Sequence, residues 1–210
     1  MALPAHRSTP TPATIALLCG LVPLLTVHVC YVLSASAGVI PTCIPYLDGC
    51  TSISATGRHG WGYVLFKAGM LPSALLLIAY WRLCRDWLLA AGDADGPALR
   101  GLLWLGTAGA LGMILYTVFL GHQGDIYNLL RRFGVTLSLG LTVLAQLLLV
   151  WRLARLRANT GHALCPPGIL RAKTGLVTTL LLLGLGSIPV SNFIADKDPV
   201  ENAIEWVFCL

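Results

Sequence analysis

The chain has 210 residues, of which 56% are hydrophobic and only 11% charged, and its mean hydropathy is +0.77. About 25% charged residues is usual for a soluble domain, so the composition argues against a soluble globular enzyme. The net charge of +5 resides in short basic clusters between long apolar runs, which describes loops beside lipid and speaks against a nucleic-acid partner.

A hydrocarbon core of about 30 Å requires about 20 mostly apolar residues per helix. Five stretches qualify: Ala13 to Ala35, Tyr63 to Trp81, Leu102 to Leu120, Phe133 to Trp151 and Thr174 to Ile194. The expected fold class is an all-α polytopic transmembrane helix bundle, one multi-pass membrane domain over residues 1–210. Arg7, the first apolar run and Ala35-Ser36-Ala37 imitate a secretory signal. The run is longer than the roughly 7 to 15 residues of a signal core and is interrupted by Pro23 and His28, so an uncleaved first helix is expected.

The first loop, residues 36–62, contains Cys43 and Cys50 around a Pro and an Asp-Gly turn signal. On an oxidising side two such cysteines can close a small loop. A disulfide is favoured over a metal site because no histidine pair stands nearby to complete a ligand set, and no other metal or cofactor motif is present. Spans two and four both finish in Trp-Arg-Leu-x-Arg, at Trp81 to Arg85 and Trp151 to Arg155, as an interfacial aromatic followed by a basic stop would. After span five, Asn202 to Leu210 starts a sixth apolar segment too short to cross. It is expected either to lie at the interface or to be a truncated sixth helix.

Basic residues counted by alternating sides set the orientation, because they are retained on the cytoplasmic face. Arg7, Arg82, Arg85, Arg100, Arg152, Arg155, Arg157, Arg171 and Lys173 stand on one side, against Arg58, Arg131, Arg132 and Lys197 on the other. The amino terminus is therefore expected in the cytoplasm, and the first loop outside.

This orientation gathers His59, His122, Asp125, Asp196, Asp198, Glu201 and Glu205 on the outer side. Imidazoles beside carboxylates suit acid–base work, with Ser52, Ser54 or a water as nucleophile for acyl transfer or lipid hydrolysis. Ser52, Ser54, His59, His122, Asp125 and Glu205 are thus the candidate catalytic residues. The competing explanation is an ordinary polar loop, since no Gly-x-Ser-x-Gly or His-Glu-x-x-His frames them. His28, Lys67 and Gln146 lie within spans, where polar groups are costly. Lys67, like Arg58, is a candidate contact for a lipid headgroup; snorkelling is the alternative for Lys67.

Pro45-Tyr46-Leu47, then Thr51-Ser52-Ile53-Ser54-Ala55-Thr56-Gly57, then Tyr63-Val64 opening a span that ends in Ala79-Tyr80-Trp81, together with Leu115-Tyr116-Thr117, Leu149-Val150-Trp151-Arg152-Leu153 and Glu205 before an aromatic, resemble the family uniting the GPI-anchor lipid remodelling factor (post-GPI-attachment factor two), the DRAM autophagy modulators and Sfk. The resemblance runs through most of the chain. It implies a six-helix protein concerned with lipids of the outer or lumenal leaflet, most concretely acyl-chain replacement on a GPI anchor. Ser52, Ser54 and Gly57, with Glu205 opposite, are the residues it marks. The nearly absent sixth helix departs from the family pattern. The partners expected are membrane lipids, with a membrane protein in the alternative reading of a scaffold or regulator. A transporter is a weaker third reading, because spans three and five carry no ionisable residue between their ends.

Overall fold

The computed structural model describes residues 11–160, 164–193 and 198–209. Arg7, Ile194, Asp196, Lys197 and Leu210 of the sequence-based expectations lie outside the described residues. The described residues form eight helices and no strand: α1 (Pro12–Ser36), α2 (Pro45–Asp48), α3 (Ile53–Thr56), α4 (Gly60–Ala90), α5 (Pro97–Phe119), α6 (Asp125–Thr160), α7 (Pro167–Phe193) and α8 (Asp198–Phe208). Five of them, α1, α4, α5, α6 and α7, are long and apolar enough to cross a membrane. The chain is an all-α polytopic bundle in which each expected span falls on one long helix, the third running one residue past the end of α5 at Phe119.

The helices outrun the apolar segments because their ends are locally stabilised. Proline opens α1 and α5, where its missing N–H costs nothing, and the Thr11 hydroxyl accepts the amide of Thr14 at 3.3 Å, satisfying an orphan donor. Asp125 in the first turn of α6 opposes the positive end of the helix dipole. Helix α6 therefore starts eight residues before the apolar run does, and Arg131 and Arg132, expected in a loop, stand in its second turn.

Sequential neighbours pack in order, α1 on α4, α4 on α5 and α5 on α6, while α7 rests chiefly on α6 and α8. Helices α5 and α6 bring backbone against backbone: a Cβ added to Gly112 would stand 2.9 Å from the Gly134 carbonyl oxygen, and one added to Gly134 would stand 2.7 Å from the Tyr116 nitrogen. Small residues that let backbones touch are the usual means of helix association in lipid.

Buried side chains form two clusters. The inner one joins Trp81, Leu88, Leu99, Leu102, Leu149 and Leu153. It is sealed by an ion pair between Asp93 and Arg152, whose Nε donates to Asp93 Oδ2 at 2.7 Å. The outer cluster joins Val27, Ile53, Phe66, Tyr116, Leu120 and Trp206. It thus contains residues of the first loop and of α8. Eleven residues of α8 rise only about 16 Å, half the hydrocarbon thickness, so this helix is too short to cross it. It is docked against the first loop.

Candidate functional site

The first loop is a built structure. Cys43 and Cys50 form a disulfide with alpha carbons 6.6 Å apart, bracketing α2. The Tyr31 hydroxyl of α1 donates to the Cys43 carbonyl at 2.7 Å and accepts the Cys43 amide at 2.9 Å, while Asp48 Oδ2 accepts the Ile44 amide at 2.8 Å. Gly49 then turns the chain with φ +57°, and a Cβ there would collide with the carbonyl of Pro199. Left-handed backbone and lack of space both demand glycine at this point.

Three side chains of α8 grip this loop. Asn202 Nδ2 donates to the Gly49 carbonyl at 2.8 Å, Trp206 Nε1 donates to the Thr51 carbonyl at 2.9 Å, and Glu205 Oε2 accepts the Ile53 amide at 3.2 Å. Positions 202, 205 and 206 are spaced three and four apart and so share one helix face. The Trp206 ring, 1% exposed, sits among His28, Tyr31 and Tyr46 at centroid distances of 5.6, 5.8 and 5.5 Å. His28 Nδ1 bonds the Leu24 carbonyl at 2.7 Å and Nε2 bonds the Tyr46 hydroxyl at 2.8 Å. A carbonyl only accepts, so in the neutral ring Nδ1 carries the hydrogen and Nε2 accepts from Tyr46. His28 therefore ties α1 to the loop through a hydrogen bond and to α8 through ring packing.

The Glu205 carboxyl lies over the start of α3, where the amides of both Ile53 and Ser54 reach it. Burial pushes it up to about 7, against the opposing pull of those two amides and of the Arg58 and Arg131 guanidinium groups. Beside it, Ser52 Oγ accepts the Ala55 amide at 3.2 Å as the cap of α3 and meets Ser54 Oγ at 3.0 Å. Arg58 Nη2 donates to Ser54 Oγ at 2.9 Å. Ser52, Ser54, Arg58 and Glu205, all expected on the outer side from the sequence, are thus brought together. A carboxyl titrating near neutrality beside two hydroxyl groups can take or give a proton under ordinary conditions.

The other candidates stand elsewhere. His59 is exposed at the cap of α4 and makes no side-chain capping bond. His122 is exposed and packs against Phe119 and Tyr127 at 6.2 and 5.3 Å between centroids. Asp125 is exposed in the first turn of α6. None of the three forms a hydrogen bond to the serines or Glu205 among the described residues. Lys67 donates to the Tyr63 hydroxyl at 2.5 Å and to the Val118 carbonyl at 3.1 Å, tying α4 to the end of α5.

Two groups at the site were not among the site residues expected from sequence. Arg131 had been counted only for orientation, yet it lies within electrostatic reach of Glu205 and Arg58. Tyr116 is 4% exposed and its hydroxyl, near the same three charges, has no hydrogen-bond partner. The six-residue spacing from Asp125 places Arg131 in the second turn of α6, information that the helix start alone would have supplied.

Compared with known proteins, the chain matches no family model, no curated protein and no solved structure. Its five long apolar helices make it an integral, multi-pass membrane protein in contact with lipid.

Proposed function

We propose that the chain handles or remodels lipids at the outer or lumenal leaflet, in the manner of the family uniting the GPI-anchor lipid remodelling factor, the DRAM modulators and Sfk. The observation that carries this reading is the junction of the first loop with α8, where Glu205 meets the Ser52–Ser54 segment. In this reading the Glu205 carboxylate takes the proton of Ser54 or of a water as that oxygen attacks an acyl-ester carbonyl, and returns it to the departing alcohol as the ester C–O bond breaks, while Arg58 holds the serine oxygen. An apolar groove of about 370 Å³ between α7 and α8, lined by Thr179, Leu182, Leu183, Gly186, Ser187 and Ile204, offers room for part of an acyl chain.

The test is lipid mass spectrometry of membranes with and without the protein, repeated with Ser54→Ala, His122→Ala and Glu205→Ala at matched protein levels. A change in acyl composition that Ser54→Ala and Glu205→Ala abolish supports the reading, and an unchanged lipidome rejects it. Retained activity in His122→Ala would match the distance of that histidine from the serines' hydrogen bonds.

One observation favours a second reading, a non-enzymatic membrane regulator. No imidazole bonds to Ser52 or Ser54 among the described residues, and the Glu205 carboxyl is engaged by two backbone amides, as a structural cap would be. Such a protein would leave the lipidome unchanged and co-purify with a membrane partner.

A further inference from the structure

The outer end of the bundle contains donors without acceptors. Arg58 Nε and the Tyr116 hydroxyl are both buried and unpartnered. A buried donor left unsatisfied is destabilising, and native structures seldom tolerate it without a reason. The two atoms belong to different elements, the first loop and α5, yet both residues lie within electrostatic reach of Arg131 on α6 and of Glu205 on α8.

Charge is also unbalanced here. Neither Arg58 nor Arg131 belongs to any ion pair among the described residues. Each guanidinium spends one nitrogen on a neutral oxygen, Arg58 on Ser54 and Arg131 on Asn128 Oδ1 at 3.0 Å. Among the described residues Glu205 is the one carboxyl that acts on this group, and two backbone amides already hold it. What is missing is a compact group rich in acceptors and bearing negative charge. A tetrahedral oxyanion such as a phosphate group satisfies guanidinium forks and a phenol together, because arginine donates to such oxygens bidentately.

The geometry points to a phosphate-binding site in which Arg58, Arg131 and the Tyr116 hydroxyl hold the phosphate group of an anionic lipid or of a free phosphate ion. This deepens the lipid-handling reading and rests on its view of the outer end as a headgroup-level site. Tyr116 is within one turn of the end of α5 and Arg131 is in the second turn of α6, the depth at which a headgroup phosphate meets the acyl region. Tyr116 supplies a neutral donor, and the two arginines supply the charge.

The test uses the full chain, purified in a phosphate-free maltoside detergent and titrated with three probes: phosphatidic acid in mixed micelles, inorganic phosphate, and diacylglycerol with the same acyl chains. Saturable binding of phosphatidic acid, with or without inorganic phosphate, supports a lipid phosphate. Binding of inorganic phosphate alone supports a free ion at the same donors. Arg131→Gln and Tyr116→Phe are each expected to weaken binding about tenfold, and Arg131→Lys to recover part of that loss. Because Tyr116→Phe removes an orphaned hydroxyl and keeps the ring, the unliganded variant should melt at or above the wild-type temperature, which separates lost binding from lost folding. The proposal is overturned if neither phosphate probe binds, if diacylglycerol binds as tightly as phosphatidic acid, or if both variants bind like the wild type. Its fate is separable from that of the remodelling reading: an altered lipidome without phosphate binding rejects this site alone, and phosphate binding without an altered lipidome rejects remodelling and retains the site.

Discussion

Glu205 and Ile53 stand 152 positions apart, and the carboxylate of the first accepts the amide of the second at 3.2 Å. A backbone donor at the start of a short helix is thereby satisfied by a side chain from the far end of the sequence. The bond makes α8 and the first loop one structural unit.

The titration of Glu205 should appear in stability. Its carboxyl is pushed up to about 7 in the folded chain against 4.5 when free, and the groups facing it are Arg58, Arg131, Tyr116 and Cys209. Between those two values the folded chain retains a proton that the unfolded chain has released. Stability from this group is therefore full below about pH 4.5 and falls as pH rises toward 7. Melting temperatures in detergent across this range should decline for the wild type and flatten for Glu205→Gln; equal slopes would show that another group titrates.

Trp206 is the anchor of α8. Trp206→Ala removes a ring buried among His28, Tyr31 and Tyr46 and should cost about 3–5 kcal/mol. Trp206→Phe preserves most of the packing but leaves the Thr51 carbonyl without its donor, at about 1–3 kcal/mol. Thermal unfolding of the three proteins should rank them in that order.

Gly49 tests the docking of α8 from the opposite side. Gly49→Ala places a methyl against the Pro199 carbonyl at a positive φ, and should displace α8 and speed maleimide labelling of Cys209, which packs against the outer cluster. Gly175→Ala, with open space around its Cβ, should leave labelling unchanged.

At the inner end, Asp93 and Arg152 have side chains 4% and 11% exposed. Breaking a buried pair from one side strands the other charge, at about 3–5 kcal/mol. Asp93→Ala should therefore lower the melting temperature more than Asp95→Ala, whose contact with Arg85 is solvent-exposed and worth little.

The five spans were legible because a run of about 20 apolar residues has few other uses. Their ends were not, since helices continue past the hydrocarbon wherever a cap sustains them: Asp125 carried α6 through Arg131 and Arg132, which the charge pattern had left in a loop. Ser52, Ser54 and Glu205 were legible as polar groups on one side of the membrane. That Glu205 stands opposite the serines was expected from the family resemblance alone; the contacts that bring them together were not legible, because α8 binds carbonyls and amides of the first loop, Gly49, Thr51 and Ile53, and backbone groups leave no trace in residue identity. The aromatic setting of Trp206 depends on His28 and Tyr31 from α1, a tertiary match that no local pattern encodes.

Helix α8 leaves the ribosome after all five long helices. Until it arrives, the carbonyls of Gly49 and Thr51, the amide of Ile53 and the faces of His28 and Tyr31 lack the partners that complete them. A nascent chain with every span inserted is thus still unfinished at one end. The first loop therefore reaches its final hydrogen bonding only after the last described helix has been made.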